Sequence, residues 1–527
     1  MQQRNDVEEV AALAGEPRHV SAAGVTRSGV RLPTLENGSV ETTSRRRIVM
    51  VATDGRAVRA ALGAIRWFKT QAPQSVRERW SVSALLSGLA DDAGPATALQ
   101  FPPVAGFFNH SQQPESRYIW RWATYQAPDL LLEIRGRDVL STGSPPAGSL
   151  AAAMAGGTEV GTVPSAFAGA RDTDGPAVLQ YALKQGAERG RSEIRTTLGA
   201  RGSRRLPAIA QVLASRYPQQ PVVSYIPSVA WVNTLRLADI TKETRLRQKV
   251  LRETRPWLSR EEPLLGREPS LTEAAGAMVY ADLAERGESG ARELALQGAD
   301  AVLATAATGF AQYGRGWTDD MFMSAAILAR TGRMPGRESE LDRLAERLIS
   351  YAGRLQSEDG VFVHFTDGRV AWGRGNGFAA LGLMEALTAL PANHPSRAQL
   401  LGIYARQMDG LKKMQAPDGM WRQVIDEPGA YREASVTAMT LTAMARGVRL
   451  GWLDKSYLPS VERAWSALAV RITEDGGIVD VCTGTGSGPT LRYYLDRAAI
   501  DGPDDRGGAM ALMAAVEMMA LKEASSR

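Results

Sequence analysis

Apolar residues follow two different rhythms along this chain of 527 residues. In the first part, short apolar runs bounded by Gly, Pro or Asp alternate with stretches of helical spacing. "RRRIVMVATDG" (45–55) is one such run, and "RAVRAALGAIRWFKTQ" behind it has helical spacing. Together they read as a buried strand feeding a helix. "PDLLLEIRG" (128–136) and "QQPVVSYIP" (219–227) read as further strands, with "LQYALKQGAERGRSEI" as a helix between them. Alternating strand and helix predicts a smaller α/β domain over 45–232. Residues 1–44 are polar, rich in Gly, Ser and Thr, and lack sustained periodicity, so they are expected to form a flexible arm.

From about residue 233 strand signals almost vanish. Apolar helical runs succeed one another, among them "DDMFMSAAILARTG", "ESELDRLAERLISYAGRL", "GFAALGLMEALTAL", "SVTAMTLTAMARGVRLG" and "GGAMALMAAVEMMAL". Several are apolar nearly all round, which implies burial between other helices, and others carry an Arg/Glu-rich outer face. Alternating inner and outer helices suit a closed ring of helical hairpins, an (α/α)6 barrel over 233–527. A chain segment of that length holds roughly twelve helices of ordinary size. A plain bundle or a solenoid would have the same composition.

The connections between these helices are of two kinds. Some are short and plain, such as "TGRMPGRES". Others combine Trp, Asp, Arg and Gly: "YGRGWTDD" (313–320), "SEDGVFVHFTDGRVAWGRGNG" (357–377), "QAPDGMWRQVIDEPGAYREAS" (415–435) and "EDGGIVDVCTGTGSGPTLRYYLD" (474–496). In a ring, rich loops at every second junction open on one end and would line a pocket there. Asp319 and Asp320 open a helix, where one can cap the amides and the other is free for chemistry. Asp367 lies in "HFTDGR" beside His364, either as an Asp-Gly turn or as a general acid/base. Arg374 and Asn376 stand in a Gly-punctuated loop entering a helix, a place where an anion can be held. Trp317, Trp372, Trp421 and Arg422 complete the set, as core residues or as sugar platforms. "GTGSG" (484–488) lacks the P-loop context and reads as a tight loop over the pocket.

Composition narrows the classes. The chain is 44% hydrophobic and 23% charged, which excludes general disorder. A formal charge of +5 with dispersed basic residues gives nucleic acid no patch. A single cysteine, Cys482, and four scattered histidines (His19, His110, His364, His394) argue against disulfides within the chain and against a metal site. No run approaches the roughly 18 apolar residues of a membrane span. The opening stretch has acids where a signal peptide has a basic start, so a cytoplasmic protein is expected.

Four ordered segments carry a resemblance: "GWTDDMFMSAAILARTG", "FVHFTDGRVAWGRGNGFAALGLMEAL", "DGMWRQVIDEPGAYREASVTAMTLTAMARGVRLGWLDKSYLP" and "VCTGTGSGPTLRYYLDR". Over about 235–527 the chain resembles the unsaturated rhamnogalacturonyl and glucuronyl hydrolases, glycoside hydrolase families 88 and 105. The resemblance implies a six-hairpin barrel acting on lyase-generated oligosaccharides that end in a 4,5-unsaturated uronic acid. It implies no metal or organic cofactor. It assigns the acid/base to Asp367, with its pKa raised by partial burial and by Asp319, the second functional Asp. It assigns substrate contacts to Arg374 and Asn376, with His364 beside the acid, Arg422 in the pocket lining and Trp317, Trp372 or Trp421 stacking on sugars. Phe378 and Thr366 depart from the Trp usual at those positions in the family.

Other readings remain beside it: a hydrolase of saturated glucuronides, a lyase with Tyr431, Tyr493 or Tyr494 as base, and a carbohydrate-binding protein with an inactive barrel. In the first part of the chain, "GFFNHSQQPESRYIWRWATYQAPDLLLEIRG" (106–136) resembles the zinc carboxypeptidase-like α/β fold. The H-x-x-E ligand pair is missing, and His110 and Glu115 are wrongly spaced to replace it. A non-catalytic or diverged module, shielding the barrel mouth or shaping its plus subsites, is the expectation.

Overall fold

The computed structural model describes residues 2–38, 45–88, 99–103, 114–304 and 315–526. Seven strands make one sheet: β1 (His19–Val25), β2 (Arg31–Glu36), β3 (Arg46–Ala52), β4 (Trp80–Leu86), β5 (Leu130–Gly136), β6 (Ser141–Gly143) and β7 (Ser165–Ala170). Their order is β1-β2-β4-β3-β5-β7-β6. β4, β3, β5 and β7 are parallel neighbours, while β1 with β2 at one edge and β6 at the other pair antiparallel.

The helices of this layer are α1 (Gln2–Ala12), α2 (Gly55–Thr70), α3 (Gln74–Arg79), α4 (Pro114–Tyr125), α5 (Leu150–Gly156), α6 (Gly175–Ala187) and α7 (Glu193–Gly202). The Asp-Gly after β3 starts α2, because the Asp54 carboxylate accepts from the Ala57 amide at 2.8 Å. Ile48, Met50 and Ala52 of β3 share a core with α2, whereas Val49 and Val51 belong to the core that continues into the helical layer. Two covered faces explain why β3 is apolar without alternation.

Of the flexible arm expected over 1–44, the described residues 2–38 are not free. They supply α1, the edge strand β1 and its neighbour β2, and the Lys69 ammonium donates to the carbonyls of Val10, Ala11 and Pro17. The backbone at Gly24 lies against the Tyr118 ring, so close that a Cβ there would sit 2.1 Å from Cγ. These partners are distant in sequence, so local polarity gave no sign of them.

The helical layer comprises α8 (Leu206–Arg216), α9 (Tyr225–Thr241), α10 (Thr244–Leu258), α11 (Leu271–Gly276), α12 (Met278–Glu285), α13 (Ala291–Ala304), α14 (Thr318–Thr331), α15 (Ser339–Leu355), α16 (Gly373–Ala389), α17 (Arg397–Lys413), α18 (Ala434–Arg449), α19 (Leu458–Ala469), α20 (Leu491–Leu495) and α21 (Asp505–Ser526). Packing runs from α9 to α11 and α12, then to α14, α16, α18 and α21, and α21 returns to α9. Outside these, α10 packs on α9, α13 on α12, α15 on α14, α17 on α16, α19 on α18 and α8 on α21. α16 and α18 are buried almost all round, while α15 buries one stripe of Leu341, Leu344, Leu348, Tyr351 and Leu355.

Two expectations are corrected here. "QQPVVSYIP" is no strand: 219–224 is a loop, and Tyr225 begins α9 with Pro227 in its first turn, where a missing N–H is tolerated. The boundary expected at 232/233 therefore falls inside α9, and the helical layer already begins with α8, which packs on α21.

Short strands trim one end of the helical layer: β8 (Trp421–Arg422) with β9 (Arg432–Glu433), and β10 (Ile478–Cys482) with β11 (Ala499–Gly502). At the opposite end, the C-terminal parts of the inner helices meet through Arg330–Glu385, Arg446–Glu517 and Arg236–Glu517 ion pairs beside a cavity of about 210 Å³. Among the described residues no helix is long and apolar enough to cross a membrane.

Candidate active site

The two aspartates that open α14 divide the work. Asp320 is buried, and its Oδ2 accepts from the amides of Arg315, Gly316 and Trp317 at 3.0, 2.8 and 3.1 Å and from the Tyr351 hydroxyl at 2.8 Å. As the third residue of the helix it reaches back to the amide of the N-cap Trp317 and to the two before it. Burial raises its pKa, against the opposing pull of the Tyr351 bond. Asp319 is left free of capping, and its Oδ2 lies 3.1 Å from His364 Nε2.

His364 is fully buried, with Nδ1 2.8 Å from the Tyr494 hydroxyl. The Asp319 carboxylate can only accept, so Nε2 donates to it, and Nδ1 shares a hydrogen bond with the Tyr494 hydroxyl. Burial pushes the Tyr494 phenol up to about 12, so it stays a donor through the neutral range. Trp372 and Trp317 flank the imidazole, with ring centroids 4.6 and 5.2 Å away. The Thr318 amide donates to the His364 carbonyl at 3.1 Å, which ties α14 to the loop 357–372.

Arg374 enters from the first turn of α16. Its guanidinium donates to the carbonyls of Cys482 and Thr483 and lies over Trp372, 4.8 Å from the ring centroid. Burial works against its charge, yet Cys482, Glu433, Tyr225 and Asp319 around it hold its pKa above the ordinary value. Tyr225 at the start of α9 faces Arg374 and Asp319, and burial pushes its phenol up to about 12. Its ring meets Phe378 and Phe322 edge-on. Glu433 is buried and fully engaged: it caps α18 through the Ser435 and Val436 amides and accepts from the Cys482 amide at 2.9 Å.

Asp319, His364, Arg374 and Trp317 thus come together, joined by Tyr494 and Tyr225. Asp367 stands on the lip. It is exposed, with Thr366 Oγ1 donating to its carboxylate at 3.2 Å. The partial burial expected for it is absent, and the carboxylate expected beside it, Asp319, is engaged with His364. The loop 484–488 does touch this lip, since a Cβ on Gly368 would lie 2.4 Å from the Gly488 carbonyl.

Four of the other sequence candidates lie inside the protein and are corrected. Asn376 is fully buried, and its amide bonds to the backbone of Phe362 and Trp372, so it holds the loop rather than a ligand. Trp372 is 1% exposed and serves as the surface on which His364 and Arg374 rest. Trp421 is a core residue whose Nε1 donates to the Leu411 carbonyl at 2.7 Å. Arg422 donates to the carbonyls of Pro428 and Met414 and to Ser21 of β1, and burial lowers its pKa to about 10.

Sequence reasoning missed Tyr225, because its segment read as a strand; Pro227 at the head of a long helical run was the signal. Glu115 accepts from the Arg27 amide at 2.7 Å, and His110 lies outside the described residues. Among the described residues no three His, Cys, Asp or Glu side chains group as metal ligands.

The sequence profile of Glycosyl Hydrolase Family 88 matches residues 210–522. Unsaturated rhamnogalacturonyl hydrolase YesR of Bacillus subtilis is 27% identical over 177 residues, 32% of this chain and 50% of that protein. An unsaturated 3S-rhamnoglycuronyl hydrolase of Formosa agariphila is 28% identical over 226 residues, 39% of this chain and 58% of that protein. The chain therefore spans about half the length of the curated relatives it matches. A glycoside hydrolase of family 105 from C. acetobutylicum superposes with a TM-score of 0.53 at 19% identity, covering 60% of this chain and 99% of that one. A possible family 105 member from Salmonella enterica gives a TM-score of 0.53 at 18% identity over 60% and 94%.

Proposed function

Because the chain belongs to Glycosyl Hydrolase Family 88, we propose that it removes a 4,5-unsaturated uronic acid from the end of lyase-generated oligosaccharides, on an (α/α)6 barrel formed by the six inner and six outer helical units. The names of its relatives as unsaturated uronyl hydrolases support the substrate class. One observation carries the reading: the N-termini of α14 and α16 bring the Asp319–His364–Tyr494 chain and the buried Arg374 to one end of the ring. Helix N-termini and a guanidinium both favour an anion there, which suits a uronate.

In this mechanism Asp367 donates a proton to C4 of the vinyl ether, leaving oxocarbenium character at C5. The resulting carboxylate takes a proton from the water that attacks C5. The hemiketal opens to a ketone at C5, and C1, now a hemiacetal, releases the remaining sugar as an alcohol. Asp319 is held by His364 to receive sugar hydroxyls or the water, and Trp317 offers a half-exposed ring. The separation rule for paired glycosidase carboxylates does not apply, since one group acts twice. A Tyr494 base, as a lyase would need, is disfavoured by its raised pKa.

The test is the ultraviolet absorbance of the conjugated enol-carboxylate, followed on a panel of lyase-generated disaccharides. Its decay with wild type and persistence with Asp367→Asn supports the reaction and the acid. Absorbance unchanged across the whole panel would sink the reading.

A further inference from the structure

The α/β layer has no assigned role, yet it grips the hairpin that holds Arg374. Arg121 on α4 is 5% exposed. Its guanidinium donates to Glu159 at 2.7 Å within its own layer and reaches across to both strands of the β10–β11 hairpin. Nε is 3.2 Å from Asp480 on β10, and Nη2 bonds to Asp501 on β11, which Arg117 also contacts at 3.1 Å. The two strands are tied a second time by the Asp480 amide, which donates to Asp501 at 3.0 Å.

Asp480 has φ +65°, a left-handed backbone that a side chain rarely adopts, and the register of the hairpin shifts between Ile478 and Val481. A bulge at this point needs over-determination by its surroundings, and Arg121 supplies it from the α/β layer, with Arg471 3.6 Å from the same carboxylate on the helical side. Two and three residues further on, the carbonyls of Cys482 and Thr483 accept from Arg374.

We propose that Arg121 is a positioning residue for the candidate active site: by bridging Asp480 and Asp501 it holds the β10 bulge, and through the Cys482 and Thr483 carbonyls it sets the pose of Arg374. This rests on Arg374 being the carboxylate-binding residue of the proposed reaction. The α/β layer thereby becomes part of the enzyme's working geometry. A displacement of about 1 Å at such a contact lowers activity by about a hundredfold.

The test uses the full chain with Arg121→Met, Arg121→Lys and Asp501→Asn. Amide hydrogen exchange of peptides over 478–490 is compared with peptides from α15 and α17. Faster exchange confined to 478–490 in Arg121→Met, partly restored in Arg121→Lys, is the expected result. On an unsaturated uronide, kcat/KM falls by about ten- to a hundredfold, mostly through KM. In an Arg374→Met background the Arg121 change then adds nothing, because it acts through Arg374. If Arg121→Met does not fold, Asp501→Asn removes the β11 charge that Arg121 and Arg117 hold and is read in the same way. Unchanged exchange over 478–490, or losses that simply multiply in the double variant, overturns the inference. A chain without activity on the substrate panel but with the exchange response intact would remove the proposed reaction while supporting the coupling.

Discussion

Asp319 and Asp320 are adjacent and chemically identical, and the structure gives them opposite duties that a pair of substitutions separates. Asp320→Ala deprives the half-exposed amides of Gly316 and Trp317, the exposed Arg315 and the buried Tyr351 hydroxyl of one shared acceptor. Water can replace the acceptor for the outer amides, so only part of the cost of an unmade bond, about 1–3 kcal/mol per buried group, is felt there. The Tyr351 contact lies wholly inside. Removing a carboxylate already destabilised by its burial returns some of the loss. The net expectation is about 2–4 kcal/mol of lost stability. Asp319→Asn keeps the shape and disturbs one contact at 3.1 Å on a partly exposed side chain. It should change stability by less than about 1 kcal/mol and lower kcat/KM by about a hundredfold or more, within the range of a lost acid/base or orienting group. Urea unfolding followed by fluorescence reads the first quantity, and decay of the enol-carboxylate absorbance the second. An Asp320→Ala protein that unfolds like wild type while losing activity as Asp319→Asn does would refute the division of labour.

Tyr494→Phe removes the hydroxyl bonded to His364 Nδ1 and should lower kcat by about tenfold; since the phenol is pushed up to about 12, the neutral pH–rate profile of wild type should carry no limb that this variant abolishes. Trp421→Ala should cost about 3–5 kcal/mol of stability, as for other buried Trp residues, whereas Trp317→Ala should mainly raise KM; equal stabilities for the two would contradict their placement. Burial raises the Asp480 carboxyl from 3.8 to about 6 despite Arg121 and Arg471 beside it. The unfolded chain loses this proton near the lower value and the folded chain near the upper, so this group makes stability fall as pH rises from about 4 to about 6. A shift of that size is worth about 3 kcal/mol. The stability of Asp480→Asn relative to wild type should therefore improve over that window, measured as urea midpoints at both ends, and a flat difference would refute it.

The sequence by itself determined the elements whose rhythm is local. Apolar runs named β3 and β5, and helical spacing named α14 to α18. The Asp-Gly after β3 marked the start of α2, since its cap is made within three residues. The Trp/Asp/Arg loops were legible as one chemical end because such residues are unusual in plain turns. Tertiary structure alone decided the rest. β1 and β2 were invisible because strands with Ala, Gly and Pro exist only through the partners they meet, here β4 and Tyr118. Asn376, Trp421 and Arg422 have the residue types of a sugar site, but their hydrogen bonds go to backbone carbonyls and amides that only folding brings near. The choice between Asp319 and Asp320 follows from which carboxylate the amides of 315–317 fold back upon. Arg121 shows the same limit most plainly: its partners Asp480 and Asp501 lie more than three hundred residues away, and no local pattern records an ion pair across layers.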